Sequence, residues 1–180
     1  MSFDLQALAR ELAGIKNPPV EKWNPDFCGD MEIRKDGSWY YMGTPIGRPQ
    51  MVKLFSTVLR CDADGRYYLV TPVEKLGIKV EDAPFLVVKA ERIEDAATGM
   101  PAILFETHVG DRVLAGSAHR LRVEHTSDGT PRPYIHIRGR LEALISRPVF
   151  YDLVSWGYER GNHLYVSSMG EEFSLGALSL

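Results

Sequence analysis

The sequence has little cysteine and no long hydrophobic run. Its 180 residues include two cysteines, Cys28 and Cys61, and no apolar stretch approaches the roughly 20 residues that span a bilayer. The chain begins Met1-Ser2-Phe3-Asp4, without the basic stretch and apolar run of a secretory leader. These absences predict a protein of the reducing cytoplasm that has no membrane partner.

An excess of positive charge is also missing. The formal net charge is -3 and the pI is near 6.0, whereas proteins that bind long nucleic acids usually carry a basic stripe. We therefore expect no long nucleic acid as a partner. A single nucleotide stays possible, because one or two arginines are enough to hold it.

No catalytic, metal or cofactor motif stands out. The five histidines lack the close spacing of zinc ligands, and the two cysteines are far apart. A nucleophile elbow, a Walker loop and a Rossmann fingerprint are all absent. We expect neither a metal nor a cofactor, and the motifs alone do not define an activity.

The sequence does contain an internal repeat. Three signals recur in the same order: an Asp-Gly turn, an Arg-Pro dipeptide ahead of an apolar stretch, and a closing Leu-Gly. They are Asp36-Gly37 and Asp128-Gly129, Arg48-Pro49 and Arg147-Pro148, and Leu76-Gly77 and Leu175-Gly176. The repeat predicts that a unit containing strands and one helix is duplicated, and that a ligand cleft lies between the two copies.

Apolar spacing predicts three helices. An amphipathic helix is expected over Ser2 to Ile15, a short one beginning near Pro49, and another from about Arg147 to Trp156. The proline-rich stretch from Asn17 to Asp30 is expected to be a loop. Turn signals between β-rich runs predict about ten strands, arranged mainly as hairpins.

These elements predict an α+β fold that is internally duplicated, with mainly antiparallel sheets and a short helix in each repeat. We expect the first unit to be residues 1–80, the N-terminal helix plus the first repeat. The second repeat is expected over residues 81–180.

The two arginines of the repeat are the strongest candidate binding residues. Arg48 and Arg147 lie where helices are predicted to begin, and the helix dipole disfavours a cation there unless an anion compensates it. A guanidinium fork beside a helix start suits phosphate. Alternatively, each arginine pairs with a carboxylate of its own unit. The candidate carboxylates are Glu74, Asp82, Glu171 and Glu172.

Other residues are candidates for the rest of a ligand. Tyr68 or Phe85 is expected to stack on a base, while the pair Glu74-Lys75 forms either hydrogen bonds to a sugar or base, or a solvated turn. On a strand, Glu106 and His108 would share one face and form an acid/base pair. The alternative is an ordinary charged strand end.

Four runs of residues resemble a known bacterial family, catalogued as domain of unknown function 1285. They are Asp36 to Tyr41, Gly43 to Ile46, Leu54 to Arg60 and Tyr68 to Lys75. The resemblance implies two related α+β domains, the C-terminal one superficially like a pleckstrin-homology fold. It further implies a nucleotide-based ligand at the domain interface and a role in signal transduction.

The leading hypothesis is therefore a non-enzymatic regulatory protein that binds a nucleotide-like anionic small molecule. Arg48 and Arg147 would bind its phosphate. One alternative is a hydrolase of a phosphate-containing metabolite that uses Glu106 and His108. The other is a protein-interaction module with a protein partner.

Overall fold

The structure, a computed structural model, describes residues 23–72 and 75–178, and the side chains from residue 30 onward. The chain divides into two compact units, Met1–Asp82 and Ala83–Leu180. The described part of each unit contains one helix, α1 (Pro49–Thr57) in the first and α2 (Arg147–Trp156) in the second. Both begin where the Arg-Pro dipeptides predicted. The predicted helix over Ser2 to Ile15 lies outside the described residues.

The first unit contains one six-stranded sheet. Its strands are β1 (Trp23–Ile33), β2 (Trp39–Tyr41), β3 (Thr44–Pro45), β4 (Leu59–Cys61), β5 (Tyr67–Val70) and β6 (Lys75–Val80). They lie in the order β3-β2-β1-β6-β5-β4. Each half of this sheet is an antiparallel meander, and the halves join where β1 and β6 pair in parallel. Helix α1 connects the two meanders.

The prediction of a loop up to Asp30 is wrong, because β1 already begins at Trp23. Its register with β6 shifts between Trp23 and Cys28 and again before Glu32. Proline is tolerated in strands at such irregular positions, where the ladder does not need its missing N–H. Pairing with β6 therefore overrides the local loop signal of Pro25.

The second unit contains two sheets. Its strands are β7 (Phe85–Glu94), β8 (Pro101–Thr107), β9 (Arg112–Leu114), β10 (Leu121–His125), β11 (Pro131–Arg138), β12 (Leu141–Ile145), β13 (Tyr158–Arg160), β14 (His163–Ser168) and β15 (Glu171–Ala177). The larger sheet has the order β10-β11-β12-β7-β8-β9, and the smaller one is β13-β14-β15. Apart from the parallel pair β7–β12, neighbouring strands run antiparallel.

The duplication is visible in the order of elements. In each unit a hairpin with an Asp-Gly turn leads through a third strand into the helix, and a three-stranded meander follows. The turns are equivalent, since Ile33 faces Trp39 across the first and His125 faces Pro131 across the second. The meander β7–β9 has no counterpart in the described part of the first unit.

The two copies differ in how their first and last strands are arranged. In the first unit β1 and β6 form a parallel ladder, whereas their equivalents β10 and β15 belong to different sheets. A groove of about 490 Å³ lies between these two strands. At Gly176, a Cβ atom would come within 3.2 Å of the His125 ring. Both glycines of the Leu-Gly signal pair with the preceding strand of their meander. Gly77 pairs with β1 as well, whereas Gly176 lies against the His125 ring.

Large apolar side chains from strands and helix fill the core of each unit. Trp39 and Phe55 stack with their ring centroids 6.3 Å apart in the first unit. In the second, Phe85, Phe105 and Leu153 are fully buried. Leu153 lies on the inner side of α2, so helix packing fixes the beginning of α2 against the sheet.

Candidate functional site

A cavity of about 600 Å³ lies in the second unit, beside the beginning of α2. Ligand pockets in proteins usually have this size and a mostly apolar wall. Twelve residues line it: Leu86, Thr126, Thr130, Pro131, Arg132, Pro133, Leu144, Ile145, Ser146, Arg147, Phe150 and Tyr151. Six of them are aliphatic, proline or phenylalanine. The other six come from the turn after β10, from Arg132 on β11, from the segment that leads into α2 and from α2 itself.

Strand pairing brings these segments together. Tyr134 on β11 faces Leu144 on β12, so the start of β11 lies at the same end of the sheet as the start of α2. The backbone of Ser146 donates to the carbonyl oxygen of Val87 at 3.2 Å, and its own carbonyl accepts from the N–H of Phe150 at 2.9 Å. These bonds hold the helix start against the central strand β7.

Arg147 is exposed at the first turn of α2 and lines the cavity. It makes no ion pair or side-chain hydrogen bond with any residue in the described ranges. The first turn contains no acidic residue, and no side-chain bond caps it. Glu172, one of the predicted partners, instead pairs with Arg160 at 2.7 Å. The positive end of the helix dipole and the guanidinium of Arg147 therefore both contribute positive electrostatic potential to the cavity.

A second arginine of the cavity, Arg132, is oriented by a tyrosine. Its Nε donates a hydrogen bond to the Tyr134 hydroxyl at 3.1 Å. The ring of Tyr134 is buried, and the guanidinium of Arg122 lies over it, 4.5 Å from its centroid. Arg122 is itself paired with Glu142 at 2.6 Å and with Glu124. The side chain of Arg132 is thus anchored by a tyrosine that is itself held in place.

The turn between β10 and β11 contains an acidic group, Asp128. Its carboxylate accepts hydrogen bonds from the Thr126 hydroxyl and from the backbone N–H of Thr130. These bonds, led by the one from Thr126, lower the pKa of Asp128 to about 2. Asp128 does not line the cavity. The Asp128 carboxylate therefore stabilises its own turn by holding Thr126 and Thr130 in place.

The predicted binding residues are divided between the two units. Arg48 belongs to the first unit, where it is exposed as the N-cap residue of α1. It makes no ion pair or side-chain hydrogen bond with another described residue. Glu74 lies outside the described residues. Of the predicted set, Arg147 alone lines the described cavity.

Tyr68 and Lys75 lie together in the first unit, inside a network of charges. The Lys75 Nζ is 2.6 Å from an Asp62 carboxylate oxygen and 4.3 Å from the centroid of the Tyr68 ring. The Tyr68 hydroxyl donates to Asp64 at 2.6 Å, which raises the pKa of the tyrosine. Because Tyr68 is only 3% exposed, its ring offers little surface for a base.

Phe85 is 1% exposed, and the guanidinium of Arg138 lies 5.0 Å from its ring centroid. Its ring therefore packs in the core instead of facing solvent. The predicted acid/base pair is also engaged elsewhere: Glu106 lies 3.6 Å from Arg112. The Nδ1 atom of His108 accepts the backbone N–H of Leu86 at 3.2 Å.

The sequence reasoning missed Arg132, Thr126, Thr130 and Tyr151. A signal for Arg132 was present, since Arg132-Pro133 is a third Arg-Pro dipeptide and closely follows the second Asp-Gly turn. Tyr151 is 62% exposed on α2. An exposed tyrosine one turn after the predicted phosphate-binding arginine marks it as a possible stacking residue.

Two kinds of feature are absent from the described residues. No cluster of three or more His, Cys, Asp or Glu side chains within them is arranged to hold a metal ion. Among the described helices, none has both the length and the apolar character needed to cross a membrane.

The fold and the cavity define a class of protein: two units on a duplicated plan, built mainly from antiparallel sheet, with one described helix in each. Residues 18–83 match the family described as "Domain of unknown function (DUF1285), N-terminal domain". Residues 84–175 match "Protein of unknown function (DUF1285), C-terminal domain". The chain belongs to the DUF1285 family, which confirms the resemblance seen in its sequence.

Solved structures of two family members are similar to this chain. A DUF1285 family protein from Silicibacter pomeroyi DSS-3 is 43% identical, with a TM-score of 0.85 over 99% of this chain and 97% of the other. A DUF1285 family protein from Shewanella baltica OS155 is 29% identical, with a TM-score of 0.54 over 71% of this chain and 91% of the other. No curated protein matches the chain.

Proposed function

We propose that the protein is a non-enzymatic, ligand-binding regulator that holds a nucleotide-like anionic small molecule in the cavity of its second unit. The observation that carries this proposal is the composition of the cavity wall. Two arginines, Arg132 and Arg147, line an apolar cavity of about 600 Å³, and no acidic side chain is among its described lining residues.

The cavity suits an organic anion better than a bare ion. Guanidinium groups bind phosphate oxygens through charge-assisted and often bidentate hydrogen bonds. The apolar wall, which includes Leu144 and Phe150, would bury the uncharged part of the ligand. Thr126 and Thr130 also contribute to the wall, and their hydroxyl groups are bound to Asp128 within the turn. Tyr151 offers a ring on which a base can stack.

Binding is favoured over hydrolysis by the positions of the catalytic candidates. Neither Glu106 nor His108 lines the cavity. Glu106 lies 3.6 Å from Arg112. The Nδ1 atom of His108 accepts a hydrogen bond from the backbone N–H of Leu86. A hydrolase that used this pair would lose its turnover in His108→Ala while the fold survived. Binding without turnover, unaffected by His108→Ala, is what we expect.

Three further predictions remain part of the proposal. The protein acts in signal transduction in the cytoplasm, and Arg48 provides a second anion contact in the first unit. The second unit is superficially like a pleckstrin-homology fold. The signalling role and this likeness follow from the family resemblance, the cytoplasmic location follows from the low cysteine content, and the contact by Arg48 follows from its exposed position.

The proposal is tested by a thermal-shift panel of nucleotides on the full chain, followed by calorimetric titration of each hit. A ligand at 100 times its dissociation constant stabilises the folded state by about 2.7 kcal/mol, which is readily detected. We expect Arg147→Gln to weaken binding at least tenfold. The matched control is Arg140→Gln, which alters an exposed arginine outside the cavity. A flat panel, or equal binding by Arg147→Gln and wild type, would refute the proposal.

A further inference from the structure

We propose that the cavity beside α2 recognises a phosphate group and a flat ring, and that it does not distinguish adenine from guanine. Its ligands are then the 5′-phosphates of both purine nucleosides. This inference rests on the proposed function and deepens it, since it names the parts of the ligand that the site recognises. Hydrogen bonds that the polar groups of the cavity wall make within the protein carry it.

The two threonine hydroxyls of the wall are bound within their own turn. The Thr126 hydroxyl donates to the Asp128 carboxylate and accepts the backbone N–H of Thr130 at 3.1 Å. The Thr130 hydroxyl is bound to the same carboxylate. Because a hydroxyl has a single donor hydrogen, both threonines donate inside the turn and have no hydrogen left for a base.

The backbone of the wall is also hydrogen-bonded within the protein. The N–H and the carbonyl of Leu86 are both bound to His108, at 3.2 Å and 2.9 Å. The N–H and the carbonyl of Ser146 have partners in strand β7 and helix α2. Two further wall residues, Pro131 and Pro133, have no N–H. The edge of a base in the cavity would therefore meet apolar side chains and backbone groups that are already bound.

The other polar side chains of the described wall suit a phosphate or a ring face. Arg147 and Ser146 lie side by side at the beginning of α2, where the helix dipole favours an anion. Arg132 is anchored to the Tyr134 hydroxyl. Tyr151 is 62% exposed and offers its ring. Stacking on an aromatic ring tolerates any base, because every base has a π-face.

Charged groups near the cavity do not affect the comparison of the two purines. In the β10–β11 ladder Glu124 faces Arg132, and His125 faces Pro131. Neither Glu124 nor His125 is among the described lining residues. Both purine ligands carry the same phosphate, so any charge on these residues changes the two affinities by the same factor.

Adenine and guanine present opposite groups to a binding site, since adenine donates from N6 where guanine accepts at O6. A site that hydrogen-bonds such a group rejects the wrong ligand by several orders of magnitude. A cavity that recognises only the phosphate and the ring face binds both with similar affinity. Loss of the ring has a different effect, because it removes the stacking contact altogether.

The experiment is calorimetric titration of the full chain at pH 7.5 with adenosine and guanosine 5′-monophosphates and with ribose 5-phosphate. We expect the two nucleotides to bind within about threefold of one another, and ribose 5-phosphate to bind about tenfold more weakly. Tyr151→Ala should remove most of this advantage, by the same factor for both nucleotides. Ser146→Ala should leave the ratio of the two nucleotide affinities unchanged, and Val154→Ala is the control outside the cavity.

The outcomes separate this inference from the proposed function. A larger preference for one purine, with binding that still requires Arg147, would overturn the inference and leave the proposed function standing. A ratio that changes in Ser146→Ala would show that this hydroxyl contacts the base, with the same consequence. Equal binding of ribose 5-phosphate and the nucleotides would also overturn the inference, because the ring would then contribute nothing. Failure of all three ligands to bind would overturn both.

Discussion

Arg132 donates a hydrogen bond from its Nε to the hydroxyl oxygen of Tyr134, which lies 3.1 Å away in the same strand. Arg132 lines the cavity, whereas Tyr134 is buried in the core. The bond therefore connects the core of the second unit to the proposed ligand site. It holds in place a side chain that would otherwise sample many rotamers.

Tyr134→Phe removes this hydroxyl and keeps the ring. We expect affinity for a nucleoside 5′-monophosphate to fall about two- to fivefold, since a typical hydrogen bond contributes about 0.5–1.5 kcal/mol and the variant loses only the support of Arg132, which itself remains. The measurement is calorimetric titration at pH 7.5, with a thermal melt to confirm that the variant folds. Unchanged affinity would show that the tyrosine does not position Arg132 for binding.

Tyr151→Ala tests the stacking surface on α2. We expect weaker binding of a nucleotide by about tenfold, because stacking of a base on an aromatic ring is worth about 1–3 kcal/mol. Binding of inorganic phosphate should not change. Val154→Ala is the matched control, since Val154 is also exposed on α2 but does not line the cavity. Equal loss in both variants, or loss of phosphate binding, would contradict a stacking role.

Gly157 ends α2 in a position that has no room for a side chain. A Cβ there would lie 2.9 Å from a methyl group of Leu164 and 3.1 Å from the carbonyl oxygen of Tyr165. We expect Gly157→Ala to lower the free energy of unfolding by about 1–3 kcal/mol, as overpacking usually does. Gly47→Ala is the control, because nothing lies within 4 Å of its added Cβ. The readout is urea unfolding, and similar stabilities would argue against the tight contact.

Asp62 stabilises the first unit through the Arg60 guanidinium and the buried Lys75 ammonium, at 2.5 Å and 2.6 Å. These hydrogen bonds, led by the one from Arg60, hold its pKa below the usual value. A depressed folded-state pKa means that the stabilisation is complete above about pH 4 and is lost as the pH falls through the folded pKa.

Asp62→Asn should therefore destabilise the protein by about 1–3 kcal/mol at pH 7. The difference from wild type should shrink as the pH falls through the lowered folded-state pKa, where the wild-type carboxyl becomes protonated as well. Urea unfolding followed by tryptophan fluorescence at pH 7 and along an acid series tests this, with the exposed Asp30→Asn as control. A difference that stays constant with pH would contradict the ion-pair explanation.

Local signals predicted much of the fold. Pro49 and Pro148 marked the helix starts, and turn signals between β-rich runs indicated sheets that are mainly antiparallel. About ten strands were predicted, whereas the described residues form fifteen. Some of the additional strands are only two or three residues long, as β3 and β13 are. The parallel pairing of β12 with β7 has no signature in neighbouring residues.

The candidate site was predicted less completely. Arg147 was identified because a cation at a helix start needs compensation. Its companions lie on a different strand, and only the register of β11 against β12 brings Arg132 to the same end of the sheet. Tyr68 and Phe85 were chosen for their aromatic rings, but both rings are buried in the hydrophobic core. Sequence shows which residue types can stack on a base, whereas burial decides which of them are accessible.

The most direct test of the central claim is a crystal structure of the full chain with a bound nucleoside 5′-monophosphate. We predict that the ligand lies in the cavity beside α2, with its phosphate oxygens within hydrogen-bonding distance of Arg147 and Arg132 and its base against Tyr151. A ligand bound at any other place, with the cavity beside α2 empty, would contradict this account.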